Sequence, residues 1–561
     1  MTLQQQPNEL PAQNECDTPF WRRPVAVLLL ILFLAAFLRL VNLGQSPPGL
    51  NPDEAASAWN AYCLLKTGKD QVGVSWPIYY TRNLGGNSST LYVYLLLPFQ
   101  AIGGLNIYTT RLPSAVAGVF TVWMIYFVAS RLFNTKTGLL AAALLTLNPW
   151  HIQLSRWGHE GCIAPMLGLA PLALMLWAKL PISDNNAPPR PIVAAWAGAL
   201  TGVACFGYHS VRLFIPVFLL TAVFLTLPRW LQTLKTRKGA LAVTAFLVAF
   251  LAIFGQLLYL HIFSPEGIAR HAIFSVQEIR PQPLTTTLTN SAVRYIKHFG
   301  PDFLFIRGDL CLTQFRPRPN AGEFHWYMLP LMLLGLITML KKLKSPSSRI
   351  LLAFIIAYPV GDIFKWFSLH SLRSAPGLTS LILLAALGAA SSAAWLWKRN
   401  RTLASTAMAA LLFAVITINT RYLPRFYGSY NTLPSVYNTF NVDLVEACKW
   451  LRPRLDQYDA VFCTKTDINM PYIISLVTLG YDPNRWFNEP REHTTINEFD
   501  YYTRYGKMNF MYGPAYNASL PQLKPNDRVL FIVRPGELGL KNPIHQIRRP
   551  DGTPALWLCQ Q

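Results

Sequence analysis

Charge is scarce in this sequence. Asp, Glu, Lys and Arg make up 14% of its 561 residues, against about 25% in an ordinary soluble chain, while 52% of the residues are hydrophobic. That shortage excludes a single soluble globule and fits a polytopic membrane protein. Acids are the scarcer half: 27 Asp and Glu stand against 49 Lys and Arg, a net charge of +22. The excess does not point to nucleic acid, because the basic residues sit mainly in short clusters between apolar runs, the usual mark of membrane topology. The 8 cysteines form no CxxC pair and no zinc spacing. No Gly-rich phosphate loop or dinucleotide fingerprint occurs, which argues against a nucleotide donor. An internal repeat of the kind found in transporters is also lacking.

What the chain does have is a series of apolar runs. The first, residues 25–42, is long enough to cross a bilayer core and lacks a small-residue cleavage site, so it reads as a retained span. Others follow at 112–132, 138–149, 163–177, 192–208, 213–227, 240–260, 326–340, 350–367, 375–395 and 403–418, which predicts about eleven crossings. The segment 91–105 is short and broken by Pro98 and Gly103-Gly104. Leaving it out of the crossings gathers Arg22-Arg23, Arg131, Lys136, Lys179, Arg190, Arg229, Lys235, Arg237, Lys238, Lys341, Lys342, Lys344, Arg349, Lys398, Arg399 and Arg401 on one side. The short loops opposite then hold only Arg156, Arg212 and Arg373. The positive-inside rule therefore makes 91–105 an interfacial or re-entrant helix and puts the N-terminus in the cytoplasm.

This layout predicts a cytoplasmic tail at 1–24 and a transmembrane domain at 25–418, with outer loops at 43–110 and 261–325. An exoplasmic domain follows at 419–561. In that last part, helical spacing over 444–455, strand patterns over 460–463 and 529–533, and a turn at Asp551-Gly552 before 555–558 predict a small α/β domain. Cys463 and Cys559 lie on candidate strands and are in a position to pair outside the membrane.

The unusual polar residues at span ends all fall on the outer face. Asp53 and Glu54 follow the first span. Arg156, His159 and Glu160 lie in the second outer loop, with Arg156 and Glu160 four apart and so on one face if that stretch is helical. Tyr208, His209 and Arg212 follow in the next short loop. His370 and Arg373 repeat the His-to-Arg spacing, and Arg316, Arg318 and His325 flank the eighth span. Carboxylates can take a proton or hold a metal, and arginines and histidines can clamp a phosphate. Structural roles stand beside these: Asp53-Glu54 can cap a helix starting at Ala55, Arg156 and Glu160 can pair, and the His and Arg residues can anchor at the interface. Asp362 and Lys365, three apart inside the ninth run, read as a structural pair.

The order of motifs resembles the GT-C glycosyltransferases that use polyprenyl-phosphate sugars, among them bacterial relatives of the protein O-mannosyltransferases and the lipid A aminoarabinose transferase. The likeness runs from about residue 25 to 395. It rests on Asn51-Pro52-Asp53-Glu54, Leu91-Tyr92-Val93-Tyr94-Leu95, Arg111-Leu112-Pro113-Ser114, Asn148-Pro149-Trp150-His151, Ser155-Arg156 with Glu160, Tyr208-His209-Ser210-Val211-Arg212 and Gly308-Asp309-Leu310. The resemblance implies a GT-C fold and sugar transfer outside the cytoplasm, with Asp53 as the catalytic carboxylate and Glu54 beside it. It also implies that Arg156 and Glu160 line the site. Metal use is left open, with Asp53 and Glu160 as candidate ligands of a divalent ion. Many relatives carry Lys-Pro-Pro before the Leu-Tyr of the interfacial helix, where this chain has Ser88-Ser89-Thr90. Arg82, Arg212 or Arg373 must then supply the charge for a phosphate, with Asn87 and the hydroxyls assisting.

The function this implies is transfer of a monosaccharide from a polyprenyl-phosphate donor to a lipid, glycan or protein acceptor, in a bacterial inner or plasma membrane. Asp53 would act as base, in a single displacement that inverts the anomeric centre. A multi-pass transporter or lipid flippase, and a non-catalytic envelope scaffold, are the alternatives. A transporter is disfavoured because the ionisable residues cluster at one surface rather than at the midplane.

Overall fold

The computed structural model describes residues 24–84, 86–184, 187–264, 283–310, 321–364, 369–496, 499–512, 523–524 and 526–561. The N-terminal tail up to residue 23, Arg316, Arg318 and Lys365 lie outside them. Each of the eleven apolar runs carries a helix. Among the described residues, Ile107–Leu132, Glu160–Trp177, Arg237–Phe263, Ser371–Arg399 and Arg401–Thr432 are long and apolar enough to cross a membrane. His209–Leu225 with Leu227–Leu234 passes the same test as a pair bent by 80°. Pro24–Leu40 (α1), Pro191–Ala204 and Met328–Lys341 are shorter apolar helices.

The helix Arg401–Tyr427 starts beside the basic cluster Lys398, Arg399 and Arg401 and ends at the C-terminal sheet domain. The sheet-bearing end of the helical bundle is therefore the end opposite that cluster, and the described candidate residues lie toward it. Pro52–Thr67 (α2) opens this region. Asn51 caps it by accepting the Asp53 N–H at 3.0 Å, while the Glu54 carboxylate accepts the Asn51 N–H at 3.1 Å. With Pro52 in the first turn, this is a complete capping box. The helix thus begins three residues earlier than Ala55. It stops at Gly68, whose φ of 70° is left-handed. A small hairpin follows, Tyr80–Asn83 (β1) against Gly86–Ser89 (β2). The interrupted segment 91–105 forms Thr90–Gly103 (α3), packed between α2 and Ile107–Leu132 (α4).

The C-terminal domain is a seven-stranded sheet built from Ala460–Thr464 (β3), Arg491–Ile496 (β4), Phe499–Tyr505 (β5), Met508–Met511 (β6), Val529–Val533 (β7), His545–Arg548 (β8) and Pro554–Gln560 (β9). Its order is β4-β5-β6-β3-β7-β9-β8, with β3 parallel to β6 and β7 and the other pairings antiparallel. The central strands are buried on both faces, hence their unbroken apolar runs. The turn at Asp551-Gly552 joins β8 to β9 as its sequence suggests.

Cys463 and Cys559 do not pair. Cys463 aligns with Ile532 on β7, and Ile532 aligns with Leu558 on β9, so Cys559 is one residue out of line and faces the other side of the sheet. A whole strand also separates them, roughly twice the 4.7–4.9 Å spacing and beyond disulfide reach. Both are buried free thiols.

The sheet domain does not stand apart from the bundle. Leu50, Ala55, Ala56, Trp59 and Cys63 of the α2 region share one hydrophobic core with Leu444, Tyr472, Ile473 and Trp486. Trp59 meets Trp486 edge-on at 5.9 Å, and the Trp486 indole N–H donates to the Gln71 carbonyl at 2.9 Å. Gly49 marks the tightest approach. Its φ is +65°, and a Cβ there would run into the Phe440 carbonyl oxygen, which already accepts the Leu50 N–H at 2.6 Å.

Candidate active site

Adjacent on α2, Asp53 and Glu54 sit in different surroundings. Glu54 is fully buried. Arg111, from the first turns of α4, donates to it through Nε at 2.8 Å and Nη2 at 2.9 Å, and Gly158 N–H adds a third bond at 2.7 Å. The same guanidinium holds the Leu43, Pro47 and Gly49 carbonyls at 3.1, 2.6 and 3.0 Å. This bidentate pair fixes the chain that enters α2. Asp53, one residue earlier, stays partly open to solvent, and its carboxylate has no hydrogen-bond or ion-pair partner among the described residues. Crowding by protein, and then the neighbouring Glu54 charge, raise its pKa from 3.8 to about 6. Asp53 is thereby poised to take up a proton near neutral pH.

The segment 156–160 ties four elements together. It is not one helix: Pro149–Leu154 ends before it, and the turn Glu160–Ile163 begins after it. Arg156 and Glu160 consequently share no face and form no pair, contrary to their four-residue spacing. Arg156 is fully buried and donates to the Ser46, Leu38, Arg39 and Val41 carbonyls at 2.9, 3.2, 3.0 and 2.7 Å. It also lies 4.9 Å over the Tyr427 ring. It closes the C-terminal end of α1, where a cation suits the helix dipole, and this takes it out of the substrate-facing set. Gly158 holds Glu54. His159 stacks on Trp157 and meets Tyr208 edge-on at 6.0 Å. Glu160 is buried and accepts the Ser89 N–H.

Ser89 leads to the cation. Its hydroxyl accepts from Arg212 Nη2 at 2.9 Å, while Nη1 reaches the Tyr80 hydroxyl at 2.8 Å and Nε the Cys205 carbonyl at 3.2 Å. Tyr79 and Tyr80 flank the guanidinium at 5.5 and 5.2 Å from their ring centres. Among the described residues Arg212 therefore has neutral partners and no carboxylate, beside Ser89 of the Ser88-Ser89-Thr90 stretch. The other hydroxyls of Ser88-Ser89-Thr90 are used internally, Ser88 by Asn83 and Thr90 by the Ile78 carbonyl. The His209 ring lies 4.1 Å from that of Tyr208, tilted by 52°, at the start of His209–Leu225.

The remaining candidates divide. Arg82 pairs with Asp500 of the sheet domain at 3.4 Å. His370 lies 3.4 Å from Asp309, which also accepts the Ser371 N–H and hydroxyl at 2.6 and 2.7 Å. Arg373 is buried in the first turn of that helix. His325 is buried against Tyr422. Asp362 takes Arg294 at 2.7 Å and His298 at 3.1 Å, partners remote in sequence. Among the described residues no three His, Cys, Asp or Glu side chains gather as a metal would need. Asp53 and Glu160, the two candidate ligands, thus lack a third, and no chemistry is routed through a metal.

Sequence reasoning passed over Arg111 and Arg39 as site residues. Both are charges embedded in apolar runs, which is itself a signal. Arg39 is fully buried, bonds the Thr146 and Leu145 carbonyls at 3.4 and 3.3 Å and meets His151 at 2.8 Å.

Comparison with solved structures follows from this geometry. ArnT from Cupriavidus metallidurans, in its crystal structure with undecaprenyl phosphate, superposes over 95% of this chain and 97% of its own with a TM-score of 0.51 at 13% identity. The chain has the GT-C fold. A second GT-C structure, an Archaeoglobus fulgidus oligosaccharyltransferase tethered to an acceptor peptide containing the NVT sequon, matches with a TM-score of 0.50 at 13% identity. That match covers 82% of this chain and 64% of the other. In sequence, residues 88–254 match the family of dolichyl-phosphate-mannose-protein mannosyltransferases. An undecaprenyl phosphate-α-4-amino-4-deoxy-L-arabinose arabinosyl transferase of Pseudomonas fluorescens is 34% identical over 113 residues, 19% of this chain and 18% of that one. The GT-C resemblance of the sequence motifs is borne out, with a multi-pass helical body and a C-terminal sheet domain.

Proposed function

We propose that this chain is an integral-membrane glycosyltransferase that moves a monosaccharide from a polyprenyl-phosphate donor to an acceptor hydroxyl at the sheet-bearing, exoplasmic end. The observation that carries the reading is Asp53: a partly open, unpartnered carboxylate with a pKa of about 6, beside a Glu54 immobilised by Arg111. Asp53 removes the proton of the acceptor as its oxygen attacks the anomeric carbon. The bond to the lipid phosphate breaks on the opposite side, so the anomeric centre inverts. Arg212, whose partners are hydroxyls and a carbonyl, stabilises the departing phosphate, with Arg373 as the second cation. His159, Tyr208, His209 and His370 border the same end and serve to orient the sugar. Glu54 and Glu160 position the others: one fixes the start of α2, the other holds Ser89 under Arg212.

The bilayer location follows from the donor, whose tail keeps it in the membrane while its head reaches the span ends. ArnT with its bound undecaprenyl phosphate, the undecaprenyl-phosphate-dependent arabinosyl transferase and the oligosaccharyltransferase tethered to an acceptor peptide support the class of donor and acceptor. The deciding experiment incubates the full-length protein in lipid with a panel of radiolabelled polyprenyl-phosphate sugars and membrane acceptors, with Asp53→Asn alongside. Consumption of one donor by the wild type alone supports the reading and identifies the sugar. A folded wild type that consumes none, or an Asp53→Asn variant with near-normal turnover, overturns it.

A further inference from the structure

The helix Leu284–Lys297, LTTTLTNSAVRYIK, has no acidic residue and carries Arg294 and Lys297 in its last turn. Three sides can be distinguished on it. Ser291 and Arg294, with His298 just beyond, are buried against the protein. Leu284, Leu288, Ala292 and Ile296 succeed one another every four residues along a second side, with Val293 at its edge. Leu284 is 64%, Leu288 56% and Ile296 69% exposed. Thr286, Asn290 and Lys297 share the third side and are also exposed. An apolar stripe this open is unusual on a surface bathed only by water.

The buried side fixes the depth of the helix. The Tyr295 hydroxyl donates to the Ile356 carbonyl at 2.9 Å, at the end of the apolar helix Pro346–Ala357. Phe299 packs on Tyr358 at 5.4 Å, and Arg294 bonds the Asp362 carbonyl and carboxylate at 2.6 and 2.7 Å. The exposed stripe thus continues the apolar surface that half-exposed Leu352, Ile355 and Ile356 present along the side of the bundle. The exposed Lys297 at its end suits lipid phosphates at the same level.

We infer that Leu284–Lys297 lies in the membrane surface at the sheet-bearing end, its Leu284, Leu288, Ala292 and Ile296 side sunk into the acyl region of that leaflet. Through Arg294 and Asp362, which also accepts the His370 N–H at 2.9 Å, the helix ties the lipid surface to the loop carrying His370. This surface is separate from the catalytic proposal and is tested without turnover.

The test places nitroxide labels, one at a time, at Leu288→Cys, Ile296→Cys and Asn290→Cys in the full-length protein in phosphatidylcholine–phosphatidylglycerol nanodiscs, with Cys16→Ser and Cys311→Ser as background. Power saturation then compares collision with oxygen, which concentrates in acyl chains, and with a water-soluble nickel chelate. The expected result is a ratio shifted toward oxygen at 288 and 296 and toward the chelate at 290. Chelate access at 288 and 296 equal to that at 290 would leave the stripe in water and overturn the inference. Exclusion of both reagents at 288 and 296 would mean that protein, such as a second copy, covers it, and would overturn the inference equally.

Discussion

A carboxylate crowded by protein, placed next to a second carboxylate and given no cation, resists ionisation, and Asp53 is in that state. Its raised pKa of about 6 makes the group neutral in acid and a base above that value. Turnover should therefore fall as pH drops through about 6, following one ionisation in kcat/KM, and Asp53→Asn should lack that limb along with some 10²–10⁴ of the rate. The same shift has a cost in stability. A folded-state pKa above the unfolded value means that ionising Asp53 at pH 7 disfavours the fold, whereas well below pH 4 the group is neutral in both states. Asp53→Asn should thus be the more stable protein at pH 7, by roughly 1–3 kcal/mol. That gain should shrink toward pH 4, as thermal unfolding in detergent at the two pH values will show. Loss of activity with gain of stability would mark a residue kept for chemistry.

At the scale of elements, α2 owes its position to a capping box, a buried bidentate pair and a glycine too close to its neighbour for a side chain. Removing one half of the Glu54–Arg111 pair leaves the other charge buried, so Arg111→Ala should cost about 3–5 kcal/mol. Glu54→Gln with Arg111→Met should cost less than the sum of the single changes, a coupling visible in a double-mutant cycle of unfolding midpoints. Arg111→Lys should not rescue, since a point charge cannot make both bonds and hold three carbonyls.

Much of this level was legible beforehand. Each apolar run carries a helix, because hydrophobic length is written locally. The start of α2 is spelled out by Asn51-Pro52-Asp53-Glu54, although the cap is Asn51 rather than the acids. The relation of Arg156 to Glu160 was not legible, since a four-residue spacing has meaning only inside a helix and Pro149–Leu154 ends too soon. Nor were the distant partners of Arg39, Arg111, Arg156 and Asp362, which lie far along the chain. The cysteines failed for a different reason: strand membership can be read from sequence, but the register that puts two residues on opposite faces cannot.

Over the whole molecule, α2 belongs to two bodies at once, anchored by Arg111 to the bundle and by Trp59 to the core of the sheet domain. Trp486→Ala empties the seat of Trp59 and removes the hydrogen bond to Gln71, and a loss of about 3–5 kcal/mol is expected. If the sheet domain steadies Asp53, kcat should fall in this variant even at temperatures where circular dichroism shows it fully folded. An unchanged kcat would mean that the domain serves another end. The sheet also contains no bridge between Cys463 and Cys559, so reductant should leave its melting unchanged, and thiol labelling after denaturation should find both groups free without prior reduction.

The sharing of α2 bears on the order in which the protein is made. Asp53 leaves the ribosome well before Trp486 and the strands around it. Until they arrive, Trp59 and its neighbours have nothing to cover them, and the helix that carries the base is held from one side only. A nascent chain already threaded into the bilayer, or one cut short by a late stop codon, would expose greasy surface where quality-control proteases can find it. Under the proposed function, competence for reaction would then wait on the sheet domain, which keeps half-built copies from engaging a lipid-linked substrate.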